Sequence, residues 1–563
     1  MIYHCEDHTC NYWDEGEKLP ERCPQCGRKL LRANEADMTG DDWTALGNTL
    51  WDAEASDKKR MVDCFRKAAY LGSAWGVCNL GICMEQGNGV EADPVQAFWL
   101  YQQAVEMGSL NAVCCLGVCY QYGIGTAPDA KQAAELYCKA AEYGSPRGQM
   151  LLARAFHDGI GVEADAAEAV YWVRAAAYQR YGEGMHRLGV CYEKGCGVEQ
   201  SWEQAFSWYR RGAECGDPVS MCNLGLCYQM GYGVEQNWQE AIKWYEQGAQ
   251  CGDLQSMHNL ACCYEGGEGV EQNEDRAFYW YRRSAEGGNG SAMCNLGRCY
   301  KRGYGVEQNW QEAVKWYEQG AQCGNLQSMH NLACCYEHGE GVEQNMTEAI
   351  RWYTAAAEGG NADDMYELGW QYDHGEGVEQ DMKKAICWYE RAAEQNHPAA
   401  MNSLGECYAM GRGVPRDLET AMEWYRRAAE LGEAMADYNM GWHLEQAGKL
   451  SEAYTHYRKA ADGNDDSAWW ALGRFYENGV VVAQDGKEAR RCYETGEKLG
   501  SVKCKMRLAR CKLLGIGGRR AKKAGLDLCR QALELAKESS EKEDYGYEAE
   551  MNLLRRTIAE NES

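Results

Sequence analysis

Residues Gly231 to Asn273 read GYGVEQNWQEAIKWYEQGAQCGDLQSMHNLACCYEGGEGVEQN, and the block returns 72 residues later, from Gly303 to Asn345, with three changes. Ile242 becomes Val314, Asp253 becomes Asn325 and Gly266 becomes His338. Self-similarity at a fixed period decides architecture before any motif does. Working outward, a Leu-Gly or Leu-Ala pair marks each copy of the theme: Leu224-Gly225, Leu260-Ala261, Leu296-Gly297 and Leu332-Ala333 in the middle, and further copies in both directions. Fourteen units start at Leu46 and end with the one at Leu508. The step is 36 residues from Leu80 to Met440, 34 before it and 32 from Met440 to Leu472.

Each unit reads as two helices. Leu224, Cys227 and Tyr228 stand at i, i+3 and i+4, one apolar stripe at helical period. This first helix stops at Gly231, and the Gly231-x-Gly233-Val234 loop calls for positive φ angles that glycine takes cheaply. The second helix begins at Asn237 or Trp238, buries Ala241, Trp244 and Tyr245, and closes at Gly252. Counterparts of Gly252 recur at 72, 108, 144, 216, 288, 324, 360 and 432, and position 396 carries Asn, the other residue that tolerates the left-handed region. The first unit and the one at Met440 lack the long glycine loop.

The pattern A-x-x-x-L-G-x-x-Y-x-x-G-x-G-V followed by A-x-x-W-Y-x-x-A-A-x-x-G resembles the Sel-one-like repeat (SLR), a relative of the tetratricopeptide repeat. The resemblance covers roughly residues 40 to 520 and implies an all-α fold, an α-α superhelix: a right-handed solenoid of about fourteen helix-turn-helix repeats. Residues 521 to 563, with Met551, Leu554 and Ile558 at helical spacing, are expected to cap the array, because a solenoid needs a polar-backed end.

Residues 1 to 36 are not a repeat. Cys23-Pro24-Gln25-Cys26-Gly27 is a metal-binding knuckle, with Cys5 and Cys10 upstream at a looser spacing. Four thiolates make a closed structural zinc site, and His8 stands as an alternative to Cys5. With Tyr12 and Trp13 after the second ligand, this stretch resembles the rubredoxin-like zinc ribbons, departing at the first knuckle, which is normally C-x2-C. A segment so short is expected to fold on its zinc.

With 85 acidic residues against 58 Lys plus Arg, the formal charge is −27, which disfavours nucleic acid and anionic lipid as partners. No stretch approaches the ~18 apolar residues that span a bilayer, and Met1 to Ala36 hold no apolar leader core. The expectation is a cytoplasmic protein. Nine of the 30 cysteines fall three residues after the repeated leucine. Equivalent atoms in neighbouring repeats are expected ~8–10 Å apart, too far for a disulfide, so these read as small buried hydrophobes in a reducing compartment.

No nucleophile triad, phosphate loop or paired general acid stands in the context its chemistry needs, and the G-x-G strings are helix-joining turns. In tetratricopeptide-like superhelices the concave wall is built from first-helix side chains about five and two residues before the repeated leucine and two and five after it. That register points to His258, Glu265, Arg298, Lys301, His330, Glu337, Tyr366, Trp370 and Asp373. Tyr366, Trp370, Tyr438, Trp442 and Trp470 gather the aromatic weight, and aromatic and Arg side chains carry most binding energy in a groove. The resemblance implies a non-enzymatic scaffold or adaptor that binds peptides or partner proteins. Two rivals remain at this point: a β-lactamase-like enzyme of the cysteine-rich repeat type, and a nucleic-acid-linked regulator acting through the ribbon. The first expects an export signal and regular cysteine pairs; the second expects a basic ribbon, whereas residues 4 to 32 are nearly charge-balanced.

Overall fold

The computed structural model describes residues 2–5, 13–15, 30–33, 35–51, 55–542 and 548–562. Three short strands come first: β1 (Ile2–Cys5), β2 (Trp13–Glu15) and β3 (Leu30–Ala33). They form an antiparallel sheet in the order β2-β1-β3, with Ile2 opposite both Glu15 and Ala33, and Cys5 opposite Leu30. Helices follow to the end. The first, Gly40–Thr49, opens on a capping box in which Thr39 and Asp42 satisfy each other's backbone amides.

From Ala74–Gln86 to Val502–Leu514 every helix is 13 residues long, about 20 Å at 1.5 Å per residue. The unit around the opening block shows why. Pro218–Met230 starts behind Asp217, whose carboxylate accepts from the Ser220 amide, and stops at Gly231 with φ 75°. Asn237 caps Trp238–Gln250, and its own amide closes the loop onto the Tyr228 carbonyl at 2.8 Å. The V-E-Q-N string is thereby explained. Gln236 Nε2 donates to the Gln229 carbonyl at 2.8 Å, a brace repeated by Gln200, Gln308, Gln344, Gln380 and Gln484. Arg416 does the same toward the Ala409 carbonyl.

Within a pair, the repeated glycine exists for the repeated tyrosine. A Cβ on Gly225 would lie 2.5 Å from Tyr245 Cε1, so the missing methyl is what seats the ring. Tyr245 is fully buried, as are Tyr101, Tyr137, Tyr209, Tyr281 and Tyr317, and burying a ring of this size contributes about 1.5–3 kcal/mol. Between pairs, small residues face each other: a Cβ on Gly248 would meet Ser256 Oγ at 2.3 Å. Trp244 is only half-buried, lying in the seam with Lys243 over its ring. The unit at Met440 joins its helices, Ala434–Gln446 and Leu450–Asp462, through three residues.

The chain forms two compact units, residues 1–289 with 304–306, and residues 290–303 with 307–563. In each, consecutive helices pack in sequence order around a series of apolar clusters. In the second, Met551, Leu554 and Ile558 of the last helix, Glu548–Glu562, pack on Met506, Leu513 and Cys529. Among the described residues, no helix is long and apolar enough to cross a membrane.

Candidate partner-binding surface

First-helix side chains fall into three rows, fixed by their distance from the repeated leucine. The row five residues after it holds a bond that spacing alone does not reveal. The hydroxyls of most buried second-helix tyrosines donate to this residue: Tyr209 to Glu193, Tyr245 to Gln229, Tyr281 to Glu265 and Tyr353 to Glu337, at 2.6–2.7 Å. Tyr389 reaches Asp373 at 3.5 Å. These side chains satisfy a polar atom whose ring is buried. At Lys301 the pattern breaks: its ammonium pairs with Glu340 at 3.4 Å and lies over Trp310.

The row two residues before the leucine sits at the seam between successive first helices. Cys222 and Cys294 are buried. His258 is half-buried beside Tyr281, ring centroids 5.7 Å apart. His330 is half-buried beside Tyr353 and bonded to Asp364 of the next first helix at 2.8 Å. Tyr366 stacks on His397 at 5.0 Å. Tyr438 lies against Tyr457, and burial pushes its hydroxyl up to about 12. Trp470 is clasped by Arg474 and Lys503, 4.6 and 5.3 Å from its ring, cation–π contacts at both.

The row two residues after the leucine is more open. Trp370 is half-buried and stacks on His374 at 4.4 Å, while Trp442 is 38% exposed. Arg298 is half-buried. Arg474 donates to Glu445 at 3.0 Å, and Arg412, in a loop, holds Asp373 at 3.0 Å. Arg507 joins Glu477 and Glu550, and Arg510 also reaches Glu477. Aromatic rings and paired ions therefore alternate along this face of the second unit. Sequence reasoning missed a groove of about 1050 Å³ in the first unit, lined by Ala45, Trp75, Met107, Leu110 and Pro146 where helices begin. The exposed Trp75 and Met107 were the available signal.

Eight of the nine cysteines three residues after the leucine are buried, and Cys191 is half-buried. Burial pushes the thiol of Cys83 up to about 11 and those of Cys227, Cys263 and Cys335 to about 12, which leaves these four protonated at neutral pH. Of the proposed zinc ligands, Cys10, Cys23 and Cys26 and the side chain of Cys5 lie outside the described residues. Cys5 ends β1 opposite Leu30. Among the described residues, no group of three or more His, Cys, Asp or Glu could hold a metal ion.

Serial two-helix units of 36 residues, with glycine-built loops and a bond from the tyrosine hydroxyl to a carboxyl or carboxamide oxygen in most, define a helical-repeat protein. The Sel1 repeat matches twelve times between residues 76 and 501, more than half of the chain, and the chain belongs to that family. The helix pairs before and after that range follow the same plan. Among solved structures, the chain is similar to c5321, a protective antigen present in uropathogenic Escherichia coli strains, which displays an SLR fold. Identity is 29% over 76% of this chain and 94% of that one, with a TM-score of 0.55. A Sel1 repeat protein from Oxalobacter formigenes is 26% identical over 56% of this chain and 89% of its own, with a TM-score of 0.42. No curated protein matches.

Proposed function

We propose that this chain is a cytoplasmic, non-enzymatic scaffold that takes peptides or partner proteins on the concave face formed by its first helices, with neither membrane nor nucleic acid as a main partner. The observation that carries this reading is the pair of adjacent rows that hold Tyr366, Tyr438 and Trp470, and Trp370 and Trp442, rings set against neighbouring rings or cations and yet partly open between residues 362 and 478. Rigid aromatic faces gain contact area at small entropic cost. His258, His330 and Arg298 contribute polar edges to the same register. A net charge of −27 favours cationic segments as occupants. Affinity capture from the native cell extract with the intact chain and with a Trp370→Ala, Trp442→Ala variant tests it. Proteins retained by the first and lost by the second support the reading; an unchanged set overturns it.

Cys5, Cys10, Cys23 and Cys26 are proposed to hold a structural zinc that organises the three strands. Purified chain should then carry about one zinc, and chelation should release it with the helical circular-dichroism signal unchanged. Metal-free chain with intact strand amide protection sinks the assignment.

A further inference from the structure

The two copies of the duplicated block each carry a histidine and a cysteine one helical turn apart on the same face, His258 with Cys262 and His330 with Cys334. In the second copy a third group completes the set. Asp364 Oδ1 lies 2.8 Å from His330 Nδ1, and His330 Nε2 lies 3.6 Å from Cys334 Sγ. A carboxylate can only accept, so Nδ1 carries the proton there and Nε2 is the nitrogen turned to the sulfur. Asp364 has no exposed side-chain surface, and its Oδ2 has no hydrogen-bond partner.

That carboxylate is costly and has no packing purpose. The same position, four residues before the leucine, holds Ser220, Ser256, Ser328, Ala292 or Ala400 in neighbouring units, and a carboxylate again only at Asp42 of the first unit, which caps its own helix with Thr39. A buried carboxylate costs several kcal/mol unless paired, and its one side-chain partner is His330. The bonds to Asp364 and then to Cys334 pull His330 up to about 10 against the effect of burial, so the ring is an imidazolium at neutral pH. A cation aimed at a sulfur is the surrounding that reactive cysteines have. Cys334 is half-exposed, two residues after its leucine, in the row that also holds Trp370 and Trp442. The first copy has the same tyrosine and glutamate around its sulfur, Tyr281 and Glu265. Its cysteine stands 3.9 Å from His258 Nε2, but the residue in the place of Asp364 is Ala292.

We propose that Cys334, His330 and Asp364 form a nucleophilic site at which Cys334 undergoes thiol–disulfide exchange with a small neutral or cationic disulfide. His330 is the proton carrier and Asp364 the residue that positions and charges it. The sulfur attacks one sulfur of the ligand disulfide. The thiol gives its proton to solvent, a Cys334–S–S–R bond forms, the ligand S–S bond breaks, and the departing sulfur takes a proton from the imidazolium Nε2, which solvent then restores. One thiol is exchanged for another with no outside oxidant. Glu337, Glu367 and Asp363 face the site together with Asp364, and Tyr353 Oη stands 3.4 Å from the sulfur. The surplus of carboxylates repels an anionic disulfide. The reaction is a single modification event, and it is independent of whether the aromatic row binds a partner.

The test uses the full chain at neutral pH with 4,4′-dithiodipyridine, a neutral disulfide, and peptide mass mapping against time. Cys334 should be modified at least about tenfold faster than Cys262, the effect of about one pKa step of favourable charge. Asp364→Ala, which installs the residue of the other copy, should bring Cys334 to the Cys262 rate. The anionic 5,5′-dithiobis(2-nitrobenzoate) should lose the preference for Cys334. Equal rates at Cys334 and Cys262 in the unmodified chain overturn the proposal, and that comparison needs no substitution that might disturb folding. An Asp364→Ala chain with an unaltered rate at Cys334 overturns it as well.

Discussion

Two alanine substitutions, at Gly233 and at Gly252, separate the parts of the repeat's loop energetics. Both glycines have positive φ, 68° and 89°, so either substitution costs about 1–2 kcal/mol for placing a side chain in the left-handed region. A Cβ on Gly252 meets nothing within 4 Å, whereas one on Gly233 would lie 2.2 Å from the Trp202 carbonyl oxygen of the preceding second helix. Backbone cannot step aside as a flexible side chain can, and overpacking of this kind adds about 1–3 kcal/mol. Gly252→Ala should therefore cost about 1–2 kcal/mol and Gly233→Ala about 2–5. A repeat array need not unfold in one step, so the measurement is native-state hydrogen exchange of amides in the helices Trp202–Glu214 and Pro218–Met230. Effects equal within about 0.5 kcal/mol, the usual tolerance of such comparisons, would refute the claim that the second glycine is a docking point between units. Val481 stands at the equivalent position with φ 65°, behind the unit that lacks the long loop, and Val481→Gly should be neutral or stabilising.

Three further outcomes follow from single residues. Gln371 is 1% exposed with both amide atoms unpartnered, where most units carry cysteine; Gln371→Cys should stabilise the chain by about 1–3 kcal/mol, read from denaturant midpoints. Tyr245→Phe removes the bond to Gln229 and should cost about 1 kcal/mol, while Tyr317→Phe, opposite Lys301, should cost nothing measurable by the same assay. His330 has its folded value raised to about 10 from about 6.5 in an unfolded chain. Its stabilisation is complete below the lower value and is lost as pH rises through the upper one. Burial also raises Asp364, which acts in the same direction. Thermal melts should show His330→Gln furthest below the unmodified chain near pH 6, with the gap closing toward pH 10.

Helix boundaries were legible because their signals are local. Gly231, Asn237 and Gly252 each do one backbone task, and the structure puts each where its chemistry asks. The tyrosine-to-carboxyl bond was hidden because its partners, such as Tyr245 and Gln229, stand 16 residues apart on different helices. The alternation of Glu, Gln and Asp opposite a constant Tyr was the trace it left. The candidate surface was half legible. Register identifies which side chains share a row, but whether a ring such as Tyr438 is buried or open depends on its neighbours in the next pair, and here it lies under Tyr457. Asp364 was detectable as a carboxylate among the serines and alanines of the neighbouring units, a residue type the row repeats only at Asp42 in the first unit. His338, a difference between the duplicated blocks, ends its helix by donating to the Cys334 carbonyl at 3.0 Å.

Hydrogen–deuterium exchange of the intact chain, alone and with a partner obtained by the affinity capture, tests the proposed binding face most directly. The account predicts new protection in the first helices Ala362–His374, Ala434–Gln446 and Asp466–Asn478. Protection confined to second helices such as Met382–Glu394 and Leu418–Glu430, with those three unchanged, would contradict it.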